Sequence, residues 1–182
     1  MVPEGDAGES LMEWRRLRRT LSLPEFTQQF ANPFLLRRRL ARTTGISTSA
    51  VADFTQRLEF ETDVVSFDEV PQAAGAGRLA NARVVPVIKG PLNPYRDRIA
   101  VGRAQNCDIV LRDASVSKLH AHFRVLDPEH VEVIDAGSLN GTSVNGRRLT
   151  AAAPTPVASG DTIIFGQVAV QLLGPRQLYE LL

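Results

Sequence analysis

Beyond residue 82 the chain breaks into short apolar segments, each closed by a turn signal. Residues 83–89, 98–102, 108–111, 120–126, 130–135, 162–165 and 168–173 are rich in Val, Ile, Leu and Phe. Between them stand Asn93-Pro94, Asp127-Pro128, Asn140-Gly141, Asn145-Gly146 and Ser159-Gly160. Many short strands at this spacing predict an antiparallel β-sandwich or barrel. In 130–135, Val131, Val133 and Asp135 alternate with His130, Glu132 and Ile134, the period of a strand with one buried face. Pro86 lies inside the first segment and has no N–H for a ladder, so it is expected at an edge or a bulge.

Before residue 82 the period is helical in patches. Leu11, Trp14, Leu17 and Leu21 are spaced by three and four, with Arg15, Arg16, Arg18 and Arg19 around the rest of the turn. Pro24 opens a second short helix running through Phe30, with Ser22 or Leu23 near the cap. Asn32-Pro33 breaks it, and Phe34-Leu35-Leu36 is too short to classify. A third helix is expected around 48–58, with Ser49 as a cap. Residues 70–82, with Pro71, Gly75, Gly77 and several alanines, have linker composition. The expected organisation is a partly helical extension over 1–82, an all-β domain over 83–175 and a short tail over 176–182. That tail could close in one helical turn.

Hydrophobic residues are 43% of the 182 and charged residues 23%, enough to bury a core and too apolar for wholesale disorder. A net charge of +1 gives no overall nucleic-acid or membrane signature. Between Leu11 and Arg57, however, nine arginines face three carboxylates. Their bland reading, a solvated helix face, is preferred over a nucleic-acid patch, because no aromatics interleave them. Cys107 is the only cysteine, which fits a reducing compartment. No stretch of about 18 apolar residues could span a bilayer, and the acidic first ten residues do not read as a leader. A cytoplasmic location is expected, and two lysines against nineteen arginines suggest a bacterial source.

Three loops carry the chemistry. They are Gly102-Arg103 at a strand end, Ser117-Lys118-Leu119-His120 entering a strand, and Asn140-Gly141-Thr142 within Asp135-Ala-Gly-Ser-Leu-Asn-Gly-Thr. Each alone is weak, and Asn-Gly by itself is a hairpin turn. In this order and spacing they resemble the forkhead-associated (FHA) family over roughly residues 83–173. The resemblance implies a sandwich of about eleven strands whose loops at one end hold a phosphothreonine. Such a ligand brings about −1.5 to −2 charges and three strong acceptors, so it needs a fixed cation and several donors. By the same resemblance Arg103, Ser117, Lys118 and Asn140 contact the phosphopeptide, with Asn140 binding the peptide's backbone near the phosphorylated residue. Gly102, His120, Gly141 and Thr142 shape the site. Ser115 stands where some members carry an additional Arg, and Leu139 where many carry Thr or Ser. The implied affinity is on the order of 1 μM.

Rival chemistries read less well. His120 and His122 are two apart, so they share a strand face, but no third ligand stands at metal spacing. Ser117, His120 and Asp135 are the types of a hydrolase triad, yet no Gly-x-Ser-x-Gly elbow exists. No cofactor, metal or catalytic residue is therefore expected, and the chain is read as a non-enzyme. The leading function is phosphothreonine-dependent binding in Ser/Thr kinase signalling, with a kinase or its substrate as partner. Thr20, Thr43 and Thr44 follow arginines, and the expectation is that Thr20 or Thr43 is marked by such a kinase and fills the chain's own pocket or that of a second copy. The alternative is a phosphate-independent scaffold or oligomerisation domain with nucleic-acid contacts from the N-terminal arginines.

Overall fold

The computed structural model describes residues 8–38, 82–91, 93–95, 97–127 and 130–182. Among them twelve strands form two sheets. One has seven strands in the order β1-β3-β2-β12-β11-β8-β9, the other five in the order β10-β7-β6-β4-β5. The strands are β1 (Glu9–Ser10), β2 (Phe34–Arg38), β3 (Ala82–Pro86), β4 (Ile99–Gly102), β5 (Ile109–Val110), β6 (Ala121–Val125), β7 (Val131–Asp135), β8 (Thr142–Val144), β9 (Arg147–Arg148), β10 (Thr155–Val157), β11 (Thr162–Phe165) and β12 (Val168–Leu173). The sandwich is antiparallel as expected except at one place, where β4 and β5 pair in parallel. Phe123, Phe165, Ile163 and Leu172 fill the space between the sheets. Val101 and Ile109 complete that core and hold β4 and β5 beside the loops that follow them.

The segment Phe34-Leu35-Leu36, unclassified in the sequence, is an interior strand. β2 pairs antiparallel with both β3 and β12, Leu35 facing Val85 on one side and Leu172 on the other. A domain drawn over 83–175 leaves this strand out. The pattern concealed it because both faces are covered. Leu35 joins the core between the sheets, while Phe34 and Leu36 join a second apolar cluster on the outer face. A strand buried on both faces reads as a continuous apolar run rather than an alternation.

That second cluster is made by the N-terminal helices. α1 (Leu11–Arg18) follows Ser10, whose N–H and hydroxyl both reach the Glu13 carboxylate in a capping box. α2 (Leu23–Gln29) starts from Ser22 and Glu25 in the same way, with Pro24 in its first turn. Trp14 of α1 stacks edge-on against Phe26, Phe30 and Phe34. The described helices of the extension, α1 and α2, are thus docked onto the large sheet. The C-terminus is more than one turn: α3 (Pro175–Leu181) buries Leu178 in this cluster, and Tyr179 donates its hydroxyl to Leu21 O. The helix expected around 48–58, with Thr43 and Thr44, lies outside the described residues. Thr20 is exposed and donates its hydroxyl to Leu17 O. Pro86 ends β3 beyond β1, which reaches only Val84, so no ladder on that side needs its N–H. Among the described residues no helix is long and apolar enough to cross a membrane.

Candidate functional site

β4 ends at Gly102, β6 begins at Ala121, β7 ends at Asp135 and β8 begins at Thr142. Their loops meet at one end of the sandwich and are joined by backbone hydrogen bonds. Arg103 N donates to Ser117 O at 2.9 Å, Ala104 N to Lys118 O at 3.1 Å and His120 N to Val101 O at 2.9 Å. Gly102 is required by this closeness, since a Cβ there would overlap the Lys118 carbonyl and crowd Cys107. The first two loops are therefore one unit.

The third loop is organised by a buried carboxylate. Asp135, only 2% exposed, accepts from Gly137 N, Ser138 N, Ser138 Oγ and Thr142 Oγ1 at 2.6–2.9 Å. Burial acts to raise this carboxyl, but the bonds from Thr142, Ser138 and Gly137 outweigh it and hold it below the usual range. Thr142 is buried and straps this loop to Asp135 through its hydroxyl. The Ser138 hydroxyl also accepts from Gly141 N, which bends the chain so that Leu139 and Asn140 stand outward.

His120 joins the second loop to the third. Its Nδ1 accepts from Ser117 N at 3.0 Å and its Nε2 reaches Gly141 O at 3.1 Å, so the proton belongs on Nε2. It is fully buried and packs edge-on against Phe165. Burial pushes its pKa below the ordinary value, against the Gly141 hydrogen bond and the Asp135 charge. His122 is not beside it. It lies half-exposed within β6 and lines a cleft with Asp97, Arg98 and Arg124, so the two histidines share no site.

Four outward residues surround the second loop. Arg103 is exposed and donates Nε to Val116 O at 3.2 Å, which fixes the plane of its guanidinium. Among the described residues its terminal nitrogens meet no protein acceptor. Ser117 Oγ accepts from Leu139 N at 3.0 Å. Asn140 donates Nδ2 to Ser115 O at 2.7 Å, and its side-chain carbonyl oxygen has no partner among the described residues. Arg103, Ser117 and Asn140 are thus all tied to residues 115–117. Lys118 is exposed beside them, and its carbonyl, not its ammonium, is what the loops use.

Residues 99–166 match the family model of the FHA domain. Over 132 residues the chain is 42% identical to the glycogen accumulation regulator GarA of Mycobacterium tuberculosis, covering 65% of this chain and 79% of that protein. Over 141 residues it is 34% identical to the oxoglutarate dehydrogenase inhibitor of Corynebacterium glutamicum, covering 72% of this chain and 92% of that one. The chain belongs to the FHA family.

Within this FHA site, three residues escaped the sequence reading except as departures or rivals. Ser115, noted only where other members carry Arg, is a hub. Its hydroxyl donates to Asp113 and accepts from Gln167 N, while its carbonyl receives Asn140. Asp135 and Ser138 hold the third loop. The pattern Asp-x-x-Ser-x-Asn-Gly-Thr contained all of these partners, but only burial separates a structural Asp from a triad Asp. The two Asn-Gly pairs also separate here. Asn145 (φ 49°) and Gly146 (φ 80°) form the β8–β9 hairpin turn, whereas Asn140-Gly141 has its left-handed φ at glycine alone and presents Asn140 outward.

Proposed function

We propose that this FHA chain binds phosphothreonine segments of other proteins, with Arg103, Ser117, Lys118 and Asn140 touching the ligand. The Ser117 hydroxyl carries the reading. Its oxygen is engaged by the Leu139 N–H, its hydrogen has no acceptor among the described residues, and Arg103 and Asn140 are anchored to the same short loop. A phosphate oxygen supplies the missing acceptor, the Arg103 fork a fixed cation, and the Asn140 carbonyl an acceptor for a ligand N–H. Lys118 adds charge without bidentate geometry. Binding rather than catalysis is the activity, since both ring nitrogens of His120 are committed and neither can take a proton from Ser117 Oγ. The relatives are named for regulating glycogen accumulation and for inhibiting oxoglutarate dehydrogenase. By analogy this chain is a regulatory adaptor that acts by docking.

Titration of phosphothreonine peptides against the full chain and an Arg103→Ala variant tests this. The expected result is a Kd on the order of 1 μM that disappears on phosphatase treatment and rises at least tenfold in the variant. Binding that survives either change overturns the reading in favour of a phosphate-independent scaffold.

A further inference from the structure

Beside the third loop lies a cleft of about 260 Å³ between β8–β9 and β10. Leu149, Pro154 and Pro156 form its apolar lining, and Arg147 and Arg148 are its only charged residues. Both arginines are exposed, and neither pairs with a carboxylate among the described residues. By contrast the larger cleft on the outer face of the five-stranded sheet, about 560 Å³, sets Arg98 and Arg124 against Asp97 and Asp135. The smaller one is a pocket of a single sign.

Its position gives that sign a use. The Arg148 guanidinium lies against Gly141, so close that a Cβ on Gly141 would overlap it. Gly141 is also the residue whose carbonyl receives His120 and Gly166 N. A cation therefore stands one residue from Asn140, beside a glycine whose carbonyl is fixed by His120 and Gly166. Leu149 N donates to Thr142 O, so this cleft wall is tied to the end of the third loop. Arginines on an edge strand can serve only to discourage strand pairing. That role leaves unexplained why one of them folds back onto the glycine of the recognition loop.

We propose that this cleft receives an acidic stretch of the same phosphoprotein, a few residues from its phosphothreonine, with carboxylates on Arg147 and Arg148. The inference rests on the phosphothreonine reading above and adds its partner chemistry: an acidic flank on one side of the phosphorylated residue. The phosphate fixes the register, and the flank contributes in a tethered, effectively intramolecular step.

The test uses synthetic phosphothreonine peptides with a common core and three flanking residues, alanine, glutamate or lysine, on the N-terminal or the C-terminal side. Binding to the full chain is read by fluorescence anisotropy at physiological salt. Glutamate on one side is expected to tighten binding over alanine by about threefold to thirtyfold, two exposed charge pairs' worth. In Arg147→Glu/Arg148→Glu the preference reverses towards the lysine flank. In Arg15→Glu/Arg16→Glu, on α1, the glutamate preference is retained. Equal affinity for glutamate and alanine flanks, a preference that the first double variant leaves unchanged, or its loss in the second, each overturns the inference while phosphothreonine binding stands. A wild type that binds none of the phosphopeptides overturns the phosphothreonine reading, and this inference with it.

Discussion

At Ser117 one hydroxyl is divided between two tasks. The oxygen steadies the third loop through Leu139 N, and in the proposed complex the hydrogen goes to the phosphate. Ser117→Ala removes the donor and strands a backbone N–H, so phosphopeptide affinity should fall tenfold to a hundredfold, measured by calorimetric titration. His120 gives a different signature. Its pKa is depressed in the fold chiefly by burial, and that of His122 by burial and the nearby Arg98. The unfolded chain, with histidine near about 6.5, then holds protons that the folded chain refuses. Stability should therefore decline as pH drops through about 6.5 and level off only below the folded pKa values. Denaturant midpoints between pH 8 and 5 check this, and His120→Gln and His122→Gln should each flatten part of the slope.

Among the elements, α1 is held by one large side chain. Trp14 is 4% exposed inside a ring of aromatics, so Trp14→Ala should cost about 3–5 kcal/mol by thermal or urea unfolding. Its indole Nε1 is buried with no partner among the described residues, a donor that contributes nothing to hold the helix. Trp14→Phe, which discards that donor and keeps most of the ring, should fall well short of the alanine loss. A similar balance governs the loop from β7 to β8. Asp135→Ala would leave four donors unpaired, and a destabilisation of about 3 kcal/mol or more is expected from urea midpoints.

For the whole molecule, β2 decides what can fold. Phe34, Leu35 and Leu36 are each 1% exposed, and the strand bridges β3 to β12 in the middle of the seven-stranded sheet. Each such side chain contributes about 1.5–3 kcal/mol, so their loss together rivals the net stability of a domain, about 5–15 kcal/mol. A chain truncated to residues 83–182 should therefore lack a cooperative thermal transition. One that keeps residues 8–182 should melt as the full chain does, by circular dichroism. The helices, the large sheet and the small sheet form three layers, with β2 in the middle one.

The sequence by itself determined what local chemistry can encode. Turn residues marked seven strands after residue 82, β3 to β7 with β11 and β12, but not β8, β9 and β10, which at two or three residues each are too short to show a period. The spacing of Leu11, Trp14, Leu17 and Leu21 marked the first N-terminal helix, and Pro24 with Ser22 or Leu23 near its cap marked the second. The spacing of Gly102-Arg103, Ser117-x-x-His120 and Asn140-Gly141-Thr142 carried the family. Those signals are short-range, and each survives being read one dimension at a time. Tertiary structure alone decided that Phe34-Leu35-Leu36 is an interior strand, because burial on both faces erases the alternation that identifies strands. It alone gave Asp135, Ser115 and Ser138 their bracing roles. Polar residues in loops look alike until their donors and acceptors are matched in space, and those partners come from three loops and the β11–β12 turn.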